Sequence, residues 1–177
     1  MKSIRLFGFL IVSLALVAGC GSAAGAGAPA SGTLGPARNA AAGAEALQFT
    51  ATTLQGSQFA GQSLAGKPAA LWFWAPWCAV CQHEAPSVAK AAQANPGVTF
   101  VGVAAQDQLP AMKEFVAKYH MGSFTHLADL NGSVWQRFGV TQQPAFAFIR
   151  PDGTVDVVKG TLSEQALTER LHGLART

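Results

Sequence analysis

The apolar positions of this chain change their spacing from segment to segment, and each change predicts a different element. Leu6–Ala18 is an apolar stretch behind the basic residues Lys2 and Arg5, and it closes in Val17-Ala18-Gly19-Cys20. From Gly21 to Ala46 the pattern disappears into Ala, Gly, Ser and Pro, with Arg38 and Glu45 the only charges. Alternation begins near Leu47, so Leu47–Thr53 reads as a strand. Gln55-Gly56-Ser57 is a turn, Gln58–Leu64 a short strand or hairpin arm, and Gly66-Lys67-Pro68 a second turn. Ala69–Trp74 is wholly apolar, as suits a central strand covered on both faces. A helix is predicted from about Cys78 to Ala94, bent at Pro86 and ended by Asn95-Pro96-Gly97. Val98–Ala104 is a second buried strand, and Pro110 opens a helix reaching about Tyr119. Ser133–Phe138 is a short helix. Ala145–Ile149 and Thr154–Lys159 flank the turn Pro151-Asp152-Gly153 as a hairpin, and Ser163 caps a last helix to about Leu174. Strands and helices in this order predict an α/β domain, a central mixed sheet with helices on both faces and a hairpin extension at its N-terminal end.

Three regions follow: 1–19 a leader, 20–46 a flexible tether, and 47–177 the folded domain. The leader has the basic start and apolar centre of an export signal, and its apolar run is too short to remain as a comfortable membrane span. It can be read as a simple signal peptide. Leu16-Val17-Ala18-Gly19-Cys20 also resembles the lipobox of bacterial lipoproteins, in which the cysteine is acylated and becomes the new N-terminus. That resemblance implies that Cys20 anchors the protein to the outer face of the cell membrane, since two or more acyl chains hold a protein there stably.

Charge narrows the function. Charged residues make up 12% of the 177, and the formal charge is +3, of which Lys2 and Arg5 supply two positives. The domain left after export is nearly neutral and has no basic run, so nucleic-acid binding has no electrostatic footprint.

With Cys20 assigned to the anchor, Cys78 and Cys81 are the thiols of the domain. An exported protein sits where disulfides form. A bridge across two residues constrains the unfolded chain little, so stability is a poor reason for the pair. Trp74-Ala75-Pro76-Trp77-Cys78-Ala79-Val80-Cys81 carries the chain from buried strand into helix, which puts Cys78 at a helix N-terminus. Unpaired N–H groups and the helix dipole stabilise a thiolate there. Cys81 lies one turn deeper. The order predicts an exposed nucleophile, Cys78, and a resolving thiol, Cys81. Other readings stay open. A C-x-x-C can be half of a zinc site, and His83 is near, but no second Cys pair exists and His120 and His126 are distant in sequence. The pair can be an inert disulfide. A peroxidatic cysteine would usually follow a Thr or Ser one turn earlier, where Ala75 stands.

These residues, with Glu84 and Pro86 after the pair, Leu127-Ala128-Asp129-Leu130-Asn131-Gly132, Phe138-Gly139-Val140 and Gln143-Pro144-Ala145-Phe146, resemble the thioredoxin superfamily. More narrowly they resemble its exported TlpA/ResA/DsbE-like branch, over about Leu47 to Leu174. Leader, tether and domain together look most like actinobacterial DsbE/DsbF-type lipoproteins. The resemblance implies a thioredoxin-like fold, a redox-active Cys78–Cys81 disulfide and no cofactor or metal. It implies a cis peptide before Pro144, which turns the Gln143 backbone toward an extended client peptide. It suggests Glu84 as proton acceptor for Cys81, one turn away, against the plainer reading of a solvated carboxylate. Trp77 would lie at the surface beside Cys78, against client or as a lid. One departure stands out: where cytoplasmic thioredoxins keep a buried Asp, six residues before the first Cys, this chain has Trp72, expected to pack with Trp74.

Three functions follow. The favoured one is an oxidase that passes its disulfide to exported protein thiols and is reoxidised by a DsbB- or VKOR-like membrane protein. The second is a reductase for cytochrome c maturation, fed by a CcdA/DsbD-like membrane protein. The third is a redox-inert domain binding extended peptides beside Pro144.

Overall fold

The first described element is a helix where a flexible tether was expected. The computed structural model of the chain describes residues 36–176; the leader 1–19, Cys20 and the tether as far as residue 35 lie outside them. Within them, α1 spans Pro36–Ala46. The composition that suggested a coil is also rich in alanine, the best helix former, and Pro36 occupies the first turn, where proline is favoured. Docking stabilises the helix. The Gly43 backbone lies so close to the Gly153 carbonyl that a Cβ could not fit between them, and Arg137 Nη1 donates to the Glu45 carbonyl at 3.2 Å. The tether reading is therefore corrected for residues 36–46.

The hairpin extension follows as β1 (Thr50–Thr53) and β2 (Gln58–Ala60), antiparallel with Ala51 opposite Phe59. Both are shorter than predicted; Gly61–Leu64 is a 3₁₀ turn. Next come β3 (Ala69–Trp74), α2 (Ala79–Ala94), β4 (Thr99–Ala104), α3 (Leu109–Lys118), β5 (Thr125–Ala128) and α4 (Ser133–Arg137). The hairpin of β6 (Ala145–Ile149) and β7 (Val155–Lys159) precedes α5 (Glu164–Ala175), which Ser163 caps through Ala166 N–H. Strand β5 escaped the sequence reading. It has four residues, one of them His126, and no alternation; its pairing with β4 on one side and β1 on the other makes it a strand.

All seven strands form one mixed sheet in the order β2-β1-β5-β4-β3-β6-β7. β3, β4 and β5 are parallel and step in one direction, so two right-handed crossovers put α2 and α3 on the same face. Alternate residues of β3 serve two cores. Ala70, Trp72 and Trp74 pack with Cys81, Val88, Met112, Phe115 and Leu171 from α2, α3 and α5. Leu71 and Phe73 pack on the other face with Val134, Trp135 and Phe138. Every residue of β3 is buried, as its unbroken apolar run requires.

Candidate active site

Strand β3 delivers the chain through Ala75-Pro76-Trp77 to Cys78, the N-cap of α2. Cys78 has extended backbone (φ −72°, ψ 106°), and its Sγ accepts the N–H of Cys81 at 3.1 Å. The sulfur thus fills the place of a capping oxygen, facing the unpaired N–H groups of the helix start. Cys78 and Cys81 are joined as a disulfide, with Cα atoms 5.2 Å apart. Their order is as expected, with Cys81 fully buried and Cys78 nearer the surface. The expected exposure is not: Cys78 is only 6% exposed, because it belongs to the apolar cluster beneath β3. The first turn of α2 holds no acidic residue to oppose a thiolate.

Glu84 lies on the buried stripe of α2 with Cys81, Ala85 and Val88, and it is 6% exposed. The solvated-carboxylate reading is therefore excluded. Its Oε2 accepts the indole N–H of Trp72 at 3.0 Å, and its Oε1 accepts the backbone N–H of Leu162 at 2.9 Å. Burial pushes its acidity down, raising the pKa above the usual carboxylate value, and the two donors partly offset this. Trp72, expected only to pack, is thus a hydrogen-bonding partner as well.

Trp77 is at the surface as expected, 56% exposed, and its ring is fixed: the indole N–H donates to the Gln106 carbonyl at 3.0 Å. Gln106 stands just past β4 in the left-handed region, at φ 62°. Two clefts flank this contact. One of about 460 Å³ is lined by Gln106, Leu130, Trp135, Val140 and Thr141 among others, and none of its lining residues is charged. Leu130 is 60% exposed there. The other, of about 250 Å³, is lined by Trp77, Asp107, Glu114 and Lys118 among others.

The Gln143–Pro144 peptide bond is cis. Phe73 of β3 pairs with Ala145 of β6, so one step further along lie Trp74 and Pro144, at the sheet end that leads to Cys78. Pro144 is buried, Gln143 half-buried. The Pro144 carbonyl accepts Gly160 N–H at 2.9 Å, whereas Gln143 makes no hydrogen bond among the described residues.

The fold therefore gathers Cys78, Cys81, Glu84, Trp77, Gln143 and Pro144 around one end of the central strands. Cys20 lies outside the described residues. Sequence reasoning missed Gln106 and Leu162 and misread Trp72; Gln106 and Leu162 lie 29 and 78 residues from their partners, with no local signal to mark them. Among the described residues no group of three or more His, Cys, Asp or Glu side chains is arranged to hold a metal.

Residues 42–158 match the model of the AhpC/TSA family. The chain belongs to the AhpC/TSA family. Within it, the soluble secreted antigen MPT53 of Mycobacterium tuberculosis is 51% identical over 138 residues, 76% of this chain and 79% of that one. ResA of Bacillus thuringiensis, a thiol-disulfide oxidoreductase, is 30% identical over 132 residues, 73% and 76% of the two chains. The solved structure of MTB DsbF is 61% identical and covers 73% of this chain and 97% of its own, with a TM-score of 0.73. A secreted Mycobacterium tuberculosis disulfide oxidoreductase homologous to E. coli DsbE is 51% identical over 73% of this chain and 98% of its own, with a TM-score of 0.71. The AhpC/TSA chain described here thus has the thioredoxin-like fold and is a thiol-disulfide oxidoreductase of the DsbE/DsbF/ResA type.

Proposed function

We propose that this oxidoreductase works as an oxidase, donating the Cys78–Cys81 disulfide to exported proteins as they fold. The observation that carries the reading is the sulfur N-cap. A helix start that stabilises the Cys78 thiolate stabilises the reduced enzyme, and an enzyme with a stabilised reduced form is a strong oxidant. In the reaction a client thiolate attacks Cys78 Sγ, the S–S bond breaks, and its electron pair leaves on Cys81. A second client thiol then attacks the client sulfur of the mixed disulfide and releases Cys78 as a thiolate. The client loses two electrons and two protons. The enzyme holds the electrons as the Cys81 thiol and the Cys78 thiolate; one proton replaces the one that Glu84 gives to Cys81, and the other goes to solvent. Glu84, buried and with a raised pKa, supplies the proton to Cys81. Trp77, the uncharged cleft beside Gln106 and the unpaired Gln143 backbone support docking of an extended, largely uncharged client segment.

A membrane protein of the DsbB or VKOR type would reoxidise the pair. The leader would export the chain, and acylation of Cys20 would hold it at the outer face of the membrane; a Cys20→Ser variant should leave the membrane fraction. The deciding measurement is the equilibrium potential of the pair against glutathione. A value near that of DsbA, roughly −120 mV, supports the oxidase. One near thioredoxin's roughly −270 mV, or lower, favours the reductase. Peptide binding by a protein without exchange activity would point to the redox-inert reading.

A further inference from the structure

We propose that Trp72 is a positioning residue for the exchange reaction: its indole N–H, with the Leu162 N–H, holds the Glu84 carboxyl where it serves Cys81. The inference rests on the proposed role of Glu84 above. Trp72 and Trp74 lie on the same face of β3, are both fully buried and stack with ring centroids 5.8 Å apart. Trp74 Nε1 has no hydrogen-bond partner among the described residues, so packing on this face does not by itself require an indole donor. Trp72 Nε1, in contrast, meets Glu84 Oε2 at 3.0 Å.

The two donors come from separate parts of the fold. Trp72 is on the central strand, and Leu162 follows β7. Each takes one carboxyl oxygen, so the group is held from two sides while α2 carries it one turn from Cys81. Each oxygen keeps a second lone pair, on which a proton can sit. Burial favours the protonated form and the donors favour the charged one, so the group is suited to give a proton and to take one back. No charged side chain contributes to this balance. Lys90 of α2 and Glu164 of α5 pair with each other at the surface, and His83 is exposed. When a client thiolate opens the disulfide, the electron pair goes to Cys81 Sγ and the Glu84 carboxyl proton follows it. In the reverse direction Cys81 returns that proton to the carboxylate as it attacks Cys78.

The test uses the full-length protein and a small dithiol as reductant. The rate of disulfide opening is followed against pH by acid quench and alkylation. The proteins compared are the parent, Glu84→Gln, Trp72→Phe, and the protein with benzothienylalanine at position 72, which keeps the bicyclic shape but has no N–H. The expected result is an inflection in the parent that is absent in Glu84→Gln. In both position-72 variants it should move up by about one pH unit, the loss of one hydrogen bond to a charged group. If Trp72→Phe does not fold, benzothienylalanine decides. If the inflection is lost in Glu84→Gln but keeps its parental place in the position-72 variants, Trp72 only packs and the role of Glu84 stands. If Glu84→Gln matches the parent, both ideas fall.

Discussion

His126 should make the fold acid-sensitive. Its ring is 1% exposed. Nε2 lies 2.9 Å from the Met121 carbonyl and therefore carries the proton it donates there, while Nδ1 has no partner among the described residues. A second proton would charge the ring among Trp74, Phe124 and the Gly102 backbone. Burial accordingly pulls the pKa down to about 4 from an ordinary 6.5. At neutral pH the imidazole is uncharged both folded and unfolded. Between 6.5 and about 4 the unfolded chain takes up a proton that the native ring refuses, so stability falls with pH across that window. At 1.36 kcal/mol per pH unit, the full effect is about 3 kcal/mol. The perturbation is His126→Gln, which retains an amide donor for Met121 and does not titrate. It should cost stability at neutral pH through lost ring packing. That cost should then shrink by about 3 kcal/mol as the pH falls to about 4. Urea unfolding of the oxidised protein, followed by tryptophan fluorescence at several pH values, measures the difference. Glu84 acts in the opposite sense, because its raised pKa costs stability as pH rises, but it is present in both proteins and cancels. A stability difference that stays flat with pH, or widens on acidification, would refute the reasoning.

Other substitutions test the site and its support. Cys81→Ser should abolish turnover, because Cys78 alone holds no disulfide to donate. Offered a peptide disulfide, its thiolate should displace one sulfur and form a mixed disulfide that persists, visible by mass spectrometry without reductant, because no internal thiol remains to resolve it. Gly102→Ala would put a Cβ 2.1 Å from His126 Nδ1. The overpacking should cost about 1–3 kcal/mol and lower the melting temperature by several degrees. Asp129→Ala removes the acceptor for the N–H groups of Val134 and Trp135, at 3.1 and 2.9 Å. Leaving them unpaired at the start of α4 should cost about 3 kcal/mol in chemical denaturation, and Asp129→Asn should recover part of it.

The strand–helix unit that carries the cysteines was legible because its determinants are local. An apolar run between turns, a proline ending it and a cysteine at the next helix start are all properties of neighbouring residues. The β6–β7 hairpin was legible for the same reason, and the cis bond before Pro144 followed from resemblance. Strand β5 was not legible, since four residues with a central histidine carry no period, and only β1 and β4 supply its partners. Nor was the docking of α1: an alanine-rich segment reads equally as coil or helix until something packs on it, here the turn at Gly153. The sequence alone marked Cys78, Cys81 and Glu84 as a group on one helix. Only the tertiary structure decided what surrounds them. The Trp72 indole, the Leu162 amide and the Gln106 carbonyl reach their partners across 12, 78 and 29 residues of chain. Contacts of that kind leave no trace in local periodicity, because they arise only when separate elements pack against one another.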